Sequence, residues 1–202
     1  STNGTQGNAD SYLACVSGDG RYVAFQSWAT NLVASDTNGT ADVFLRDRNG
    51  GTTTVMSVSS SNARANGWCS PPSMSSDGRY ITFFSWATNL VGGDTNAMLD
   101  GFVRDRQAGT TSRISLTNTG GQANGECWWP SISDDGRYVF FDSLATNLVP
   151  ADTNGGWDVF VRDRQTSTTR RISVSNSGAE AAGHSVLPSA SADGRFIAFR
   201  ST

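Results

Sequence analysis

Three stretches of this sequence place acidic and amide side chains where a hard cation would want them. Asp36, Asn38 and Asp42 stand in the spacing Asp-x-Asn-x-x-x-Asp, which returns as Asp94, Asn96, Asp100 and as Asp152, Asn154, Asp158. Ca2+ takes about six to eight oxygens, and loops supply them from alternating positions. Positions 1, 3 and 7 here offer side-chain oxygen, whereas position 5 (Thr40, Met98, Gly156) offers a carbonyl or, at Thr40, a hydroxyl. An Asp at position 5 and a bidentate Glu at the loop end are missing, so a bound Ca2+ would be held weakly. Asp and Asn also cap turns by bonding their own backbone, and a repeated hairpin calls for them without any ion. Ca2+ is the candidate cofactor, and turn capping is the competing use of the same residues.

A second set breaks the repetition that runs through the chain. Trp68, Glu126 and His184 share one phase with Asp10; Trp128 and Trp129 follow Glu126, and Trp157 stands in the third Asp-x-Asn loop. Trp combines a large apolar face with one donor, so scattered Trp among few charges suits a platform for a glycan or a protein partner. These six, Trp68, Glu126, Trp128, Trp129, Trp157 and His184, are the candidate ligand-binding residues; packing between repeats is the alternative use. Trp28 and Trp86 repeat and are expected to pack between repeats.

Catalysis finds little material. His184 is the one His, and no Gly-x-Ser-x-Gly elbow accompanies it, so a Ser/His/Asp triad lacks context. One His with Cys15, Cys69 and Cys127 makes no zinc spacing. Asp10 and Glu126 would make a glycosidase pair only at the right separation. The expectation is a non-enzyme with no catalytic residues. Asp47, Asp105 and Asp163, each between two Arg, are expected to form ion pairs or open turns.

What positions these residues is a repeat. Asp19-Gly20-Arg21-Tyr22 returns at Asp77, at Asp135 and, with Phe196 for Tyr, at Asp193, each step being 58 residues. Trp28-Ala29-Thr30-Asn31-Leu32 and Asp42-Val43-Phe44-Leu45-Arg46-Asp47-Arg48 keep the same phase. A fixed period of this size means an array of one supersecondary unit. Within the second period four strand-favouring runs, roughly 70–75, 79–85, 101–105 and 110–116, are separated by turn residues. Runs such as Tyr138-Val139-Phe140-Phe141 are apolar on both faces and must be covered on both sides. Four-stranded antiparallel units fanned about an axis supply that cover, which predicts an all-β protein, a β-propeller segment. The blades are expected at about 11–59, 69–117 and 127–175, with a half blade at about 185–202.

The Ser-x-Asp-Gly-Arg-Tyr-apolar-x-Phe run, preceded by Pro-Ser-x-Ser at Pro72–Ser75, Pro130–Ser133 and Pro188–Ser191, resembles the TolB-like propeller repeat. The period is longer than is typical of that repeat, with the surplus in the Ala-Thr-Asn-Leu-Val…Asp-Thr-Asn loop, and the Pro of Ser-Pro-Asp-Gly is absent. The resemblance, with the missing Lys and the candidate Ca2+ loops, implies a secreted protein, extracellular or periplasmic.

Composition agrees. The 202 residues carry a net charge of −3, with 15 Arg, no Lys, 16 Asp and two Glu. Such a balance excludes a basic field for nucleic acid and is poor in helix formers. No apolar run reaches the about 18–20 residues of a membrane span. The chain begins at Ser1 without an initiator Met or signal peptide, as expected of a mature product or an excised piece. Cys69 and Cys127 share one phase in adjacent blades, whose inner strands are usually farther apart than a disulfide spans; a pair with Cys15 stays open, and free buried thiols are the expectation. The functional expectation is a binding or scaffold module facing a protein or glycan. The alternatives are a structural subunit of an extracellular oligomer or filament, which self-associates to close the propeller, and the propeller of a larger secreted hydrolase.

Overall fold

The structure, a computed structural model, describes residues 1–202. It is all-β, and no helix is long and apolar enough to cross a membrane. Three antiparallel sheets of four strands follow in chain order: β1 (Ser11–Val16), β2 (Tyr22–Ser27), β3 (Asp42–Asp47) and β4 (Thr52–Val55); then β5 (Ser73–Met74), β6 (Tyr80–Ser85), β7 (Asp100–Asp105) and β8 (Thr110–Arg113); then β9 (Cys127–Ile132), β10 (Tyr138–Ser143), β11 (Asp158–Asp163) and β12 (Thr168–Arg171). A hairpin of β13 (Ser185–Ala190) and β14 (Ile197–Ser201) ends the chain. In each sheet the strands are ordered as in sequence, so each blade is a meander.

The core lies between sheets rather than within one. One apolar cluster joins Tyr22, Ala24, Val43 and Leu45 of the first blade to Ile81, Phe83 and Phe102 of the second. Another joins Phe84, Val103 and Ile114 of the second to Val139, Phe141 and Phe160 of the third. This is why β6 and β10 are apolar on both faces: each is covered by a neighbour on either side. Cross-strand aromatic pairs recur at one phase, Phe25–Phe44, Phe83–Phe102 and Phe141–Phe160, with ring centroids 5.9, 6.0 and 5.9 Å apart.

The inner strand of the second blade departs from expectation. A strand over 70–75 shortens to Ser73–Met74. The other inner strands carry a bulge whose residue has positive φ: Leu13 at 38°, Trp129 at 53° and Leu187 at 60°. Pro71 holds that phase in the second blade. Its ring fixes φ near −65° and removes a donor, so the positive-φ residue is lost and the ladder is interrupted, leaving an isolated bridge of Cys69 to Ser85 ahead of β5.

Candidate functional site

Antiparallel order places the start of each inner strand and the end of the next at one face of the blade. The Asp-x-Asn loops, the connections between blades and the unrepeated Trp residues therefore share a face; the Asp-Gly-Arg turns and the outer hairpin turns share the other.

On the first face, the Ala-Thr-Asn motif acts as a latch. Asn66 donates its backbone N–H to Asn89 Oδ1 at 3.0 Å and its amide to Thr88 Oγ1 at 3.0 Å, while Thr88 N–H donates back to Asn66 Oδ1 at 2.9 Å. Asn8 with Thr30 and Asn124 with Thr146 repeat the pattern. These bonds tie each long loop to the segment that leads into its own blade.

Below the latch, the loop carboxylates converge on a guanidinium. Arg113 Nη1 lies 3.0 Å from Asp100 Oδ2 and 3.6 Å from Asp94 Oδ1, with all three side chains buried. Arg171 Nη1 lies 3.4 Å from Asp158 Oδ2, 3.3 Å from Asp152 Oδ1 and 2.6 Å from Glu180 Oε2. In the first blade Val55 stands at that phase, and Arg64 approaches Asp36 Oδ1 from the following segment at 3.9 Å. Asp42, Asp100 and Asp158 also each accept from a Ser hydroxyl at 2.5 Å, that of Ser57, Ser115 and Ser173. Asn38 and Asn154 donate to Asp42 and Asp158, while Asn96 donates to the Ala123 carbonyl. Burial pushes the carboxyls of Asp36, Asp42, Asp94, Asp100 and Asp152 above the usual range despite the nearby cations. Each loop thus carries a built-in cation. The third differs: Glu180 makes its carboxylates three against one Arg, with oxygens within 4.8 Å of one another.

The Trp residues form two groups. Trp68 and Trp128 pack at 6.1 Å between ring centroids, and Trp128 Nε1 donates to Glu126 Oε2 at 3.2 Å. Both rings are half-buried against the second core cluster. Trp129, on the bulge, is 48% exposed. Trp157 is half-buried, and its backbone N–H donates to Nδ1 of the exposed His184 at 3.0 Å. Asp10 and Glu126 have separate partners, Asp10 accepting from the Tyr12 hydroxyl. Trp28 and Trp86, expected between blades, are instead 44% and 41% exposed, because their backbones, not their rings, meet the neighbouring segment: the Trp86 main chain closes over Gly67.

The opposite face is uniform. In each Asp-Gly-Arg turn the Asp carboxylate accepts from a Ser hydroxyl and from the Arg N–H, with Gly at positive φ. Arg21, Arg79 and Arg137 then clamp Asp47, Asp105 and Asp163 at 2.7, 2.7 and 2.6 Å. The same Asp residues cap their own outer turns, Asp47 accepting from Asn49 and Gly50 N–H; ion pair and turn opening coincide. The Arg21 clamp holds the Asp47 carboxyl well below the usual carboxylate range, and the Arg137 clamp does the same for Asp163.

One buried acid belongs to neither pattern. Asp142, 1% exposed in β10, accepts from Leu187 N–H at 2.9 Å, and its Oδ1 has no partner. Burial pushes its carboxyl up to about 7. The cysteines are free; burial raises the Cys15 and Cys69 thiols to about 11 and 12 and that of Cys127 further.

No family model and no curated protein matches the chain. Among solved structures it is similar to TolB from Acinetobacter baumannii, with a TM-score of 0.56 and 19% identity over 95% of this chain and 37% of that one. A putative TolB from Agrobacterium tumefaciens gives a TM-score of 0.59 and 20% identity over 93% of this chain and 52% of that one. The fold is that of the TolB-like β-propellers. An oligogalacturonate lyase in complex with manganese shares it as well, with a TM-score of 0.56 and 13% identity over 96% of this chain and 47% of that one. The chain spans between 37% and 52% of the length of these structures, and its fold is that of part of a propeller. Such a fold hosts unrelated activities.

Proposed function

We propose that the chain is a non-catalytic binding and scaffold module, working outside the cytoplasm, whose Trp-bearing face takes a glycan or a protein. The observation that carries this reading is the Trp68–Trp128 pair, held at 6.1 Å and oriented by Glu126, with Trp129 exposed on a positive-φ bulge beside it. Bulges re-aim side chains, and aromatic faces with a polar handle suit both sugars and protein partners. The repeat does not demand these residues, since Asp10 and His184 hold the phase of Trp68 and Glu126 in the other blades.

Two further elements belong to this reading. The Asp-x-Asn loops serve as guanidinium-bridged turns, and the third, with the surplus carboxylate of Glu180, is where Ca2+ competes with Arg171. The propeller domain of a larger secreted hydrolase is the second reading, because the Trilobed protease from Pyrococcus furiosus carries a β-propeller domain of similar fold.

A glycan array with the purified chain tests the face. Trp129→Ala is the informative variant, because the side chain is half in solvent and its loss leaves the core intact. Binding in the wild type that disappears in Trp129→Ala at an unchanged Tm supports the reading. Binding that survives both Trp129→Ala and Trp68→Ala refutes it.

A further inference from the structure

A cleft of about 620 Å³ opens between the outer strands of the first and second blades. One wall is the side of the first blade that carries the buried Leu45, Met56 and Val58, with the exposed Thr52 and Thr54 at its mouth. Thr54 stands opposite Leu45 in the β3–β4 ladder and so shares its side of the sheet. The other wall is Arg104 in β7 and Arg106 just after it. Asn62, in the connection between the two blades, lines the cleft as well.

Charge in this cleft is unbalanced. Arg104 is 6% exposed, yet all its partners are neutral. Its Nη1 donates to the Ser59 and Gly109 carbonyls at 3.1 and 2.9 Å and to Thr111 Oγ1 at 3.2 Å, and its Nη2 donates to Asn62 Oδ1 at 3.1 Å. Its Nε is buried without a partner. Arg106 donates Nε to the Gly78 carbonyl at 2.6 Å and covers the Tyr22 ring at 4.0 Å from the centroid, with Gly78 lying under the same ring in the joint between the blades. Neither guanidinium pairs with a carboxylate. Asp47, the one acid in the lining, is clamped by Arg21, and Asp105, between the two Arg in sequence, is clamped by Arg79. Burial holds the Arg104 guanidinium below its ordinary pKa. A buried charge is costly until it is paired, and an oxyanion is the partner that guanidinium geometry fits.

Asn62 sets this cleft apart from the next. Gly4, Gly120 and Gly178 hold its phase at φ 82°, 83° and 82°, whereas Asn62 takes φ 63°, a left-handed backbone that Asn tolerates. With its Oδ1 turned to Arg104, its NH2 is left as a donor. Between the second and third blades Arg162 repeats Arg104, donating to the Leu116 and Thr117 carbonyls and to Thr169 Oγ1, but Gly120 brings no amide. We propose that the cleft between the first and second blades binds a small organic anion, a carboxylate or phosphate group carried on an apolar body, with its head at Asn62 and Arg104 and its body along Leu45, Met56 and Val58. The site shares no residue with the Trp-bearing face and does not depend on the role of that face.

The test is a 15N–1H NMR titration of the full chain with benzoate, phenyl phosphate and benzamide. The two anions are expected to shift the Asn62 side-chain amide and the Arg104 Nε resonance saturably, the tighter of them naming the head group. Benzamide, which keeps the ring without the charge, is expected to bind about tenfold more weakly or worse. Asn62→Gly restores the residue of the other blades, and Thr54→Phe places a ring in the mouth of the cleft. Both positions are exposed, and each variant is expected to weaken the anion about tenfold at an unchanged Tm, read at Arg104 Nε. The absence of saturable shifts with either anion overturns the proposal. So does benzamide that binds as tightly as both anions, or anion binding that both variants leave intact.

Discussion

Gly136→Ala and Gly20→Ala form a matched pair that measures what one blade-to-blade joint contributes. Both glycines sit at φ 71° in the same turn of the same repeat, so an added Cβ meets the same backbone penalty, about 1–2 kcal/mol for a left-handed residue. The surroundings differ. At Gly136 the new carbon would fall 2.5 Å from Tyr80 Cε2 and 2.7 Å from Cγ, and the ring cannot slide away freely because Arg79 and Arg164 both stack on it. At Gly20 it would find only the Arg48 guanidinium at 3.7 Å, an ordinary contact. Overpacking a filled site costs about 1–3 kcal/mol, so Gly136→Ala should lose about 2–5 kcal/mol and Gly20→Ala about 1–2. For a chain of this length each kcal/mol lowers Tm by about 2–4 °C, so the two variants should differ by about 2–12 °C. Calorimetry reads this difference. Equal losses would refute the argument, since they would mean that the ring over Gly136 imposes no constraint and the blades are held elsewhere.

Two other expectations follow from buried charge. Asp142 keeps its proton to about pH 7 in the folded chain, whereas the unfolded chain releases it near 3.8; the folded state then binds the extra proton, and stability falls as pH rises from about 4 to about 7. Asp142→Asn should therefore give a Tm profile flatter than the wild type's across that window, and parallel profiles would count against a buried neutral acid. Arg171→Met strands Asp152, Asp158 and Glu180 without a cation, a loss of about 3–5 kcal/mol in chelator; millimolar Ca2+ should restore much of the Tm in this variant but not in Arg171→Met with Glu180→Gln, and no Ca2+ effect in either removes the ion from the third loop.

How far the sequence reaches depends on whether a feature repeats. The blades, the Asp-Gly-Arg turns and the pairing of Asp47, Asp105 and Asp163 with Arg were legible, because a recurring phase names both partners. The inner strand at 70–75 was misjudged, although Pro71 stands at the phase of Leu13, Trp129 and Leu187; that this phase needs positive φ is visible only in the backbone. The loop carboxylates were legible as a cluster but not their cation. Arg113 and Arg171 lie on outer strands, and the clue was a compensation between two positions: Val55 with Arg64, Arg113 with Gln122, Arg171 with Glu180. Asp142 was missed because its phase holds Gln26 and Phe84 in the other full blades. Its burial depends on the neighbouring hairpin, and no local pattern encodes that.

The two faces of the segment divide the work by a physical rule. A residue that every blade repeats is one whose partner every blade also repeats, and the Tyr–Gly–Arg joints and Arg–Asp clamps of the turn face are of that kind. They consume their own chemistry: each carboxylate is clamped, and each internal Gly is covered by a ring. The loop face repeats its latch and its guanidinium bridges for the same reason, but above them stand side chains whose partners do not recur. Trp68 and Trp128 pack on each other and on the second core cluster, whereas Trp129 on its bulge is 48% exposed. On the reading proposed above, the loop face is where a ligand is to be sought, and the turn face is where one blade meets the next.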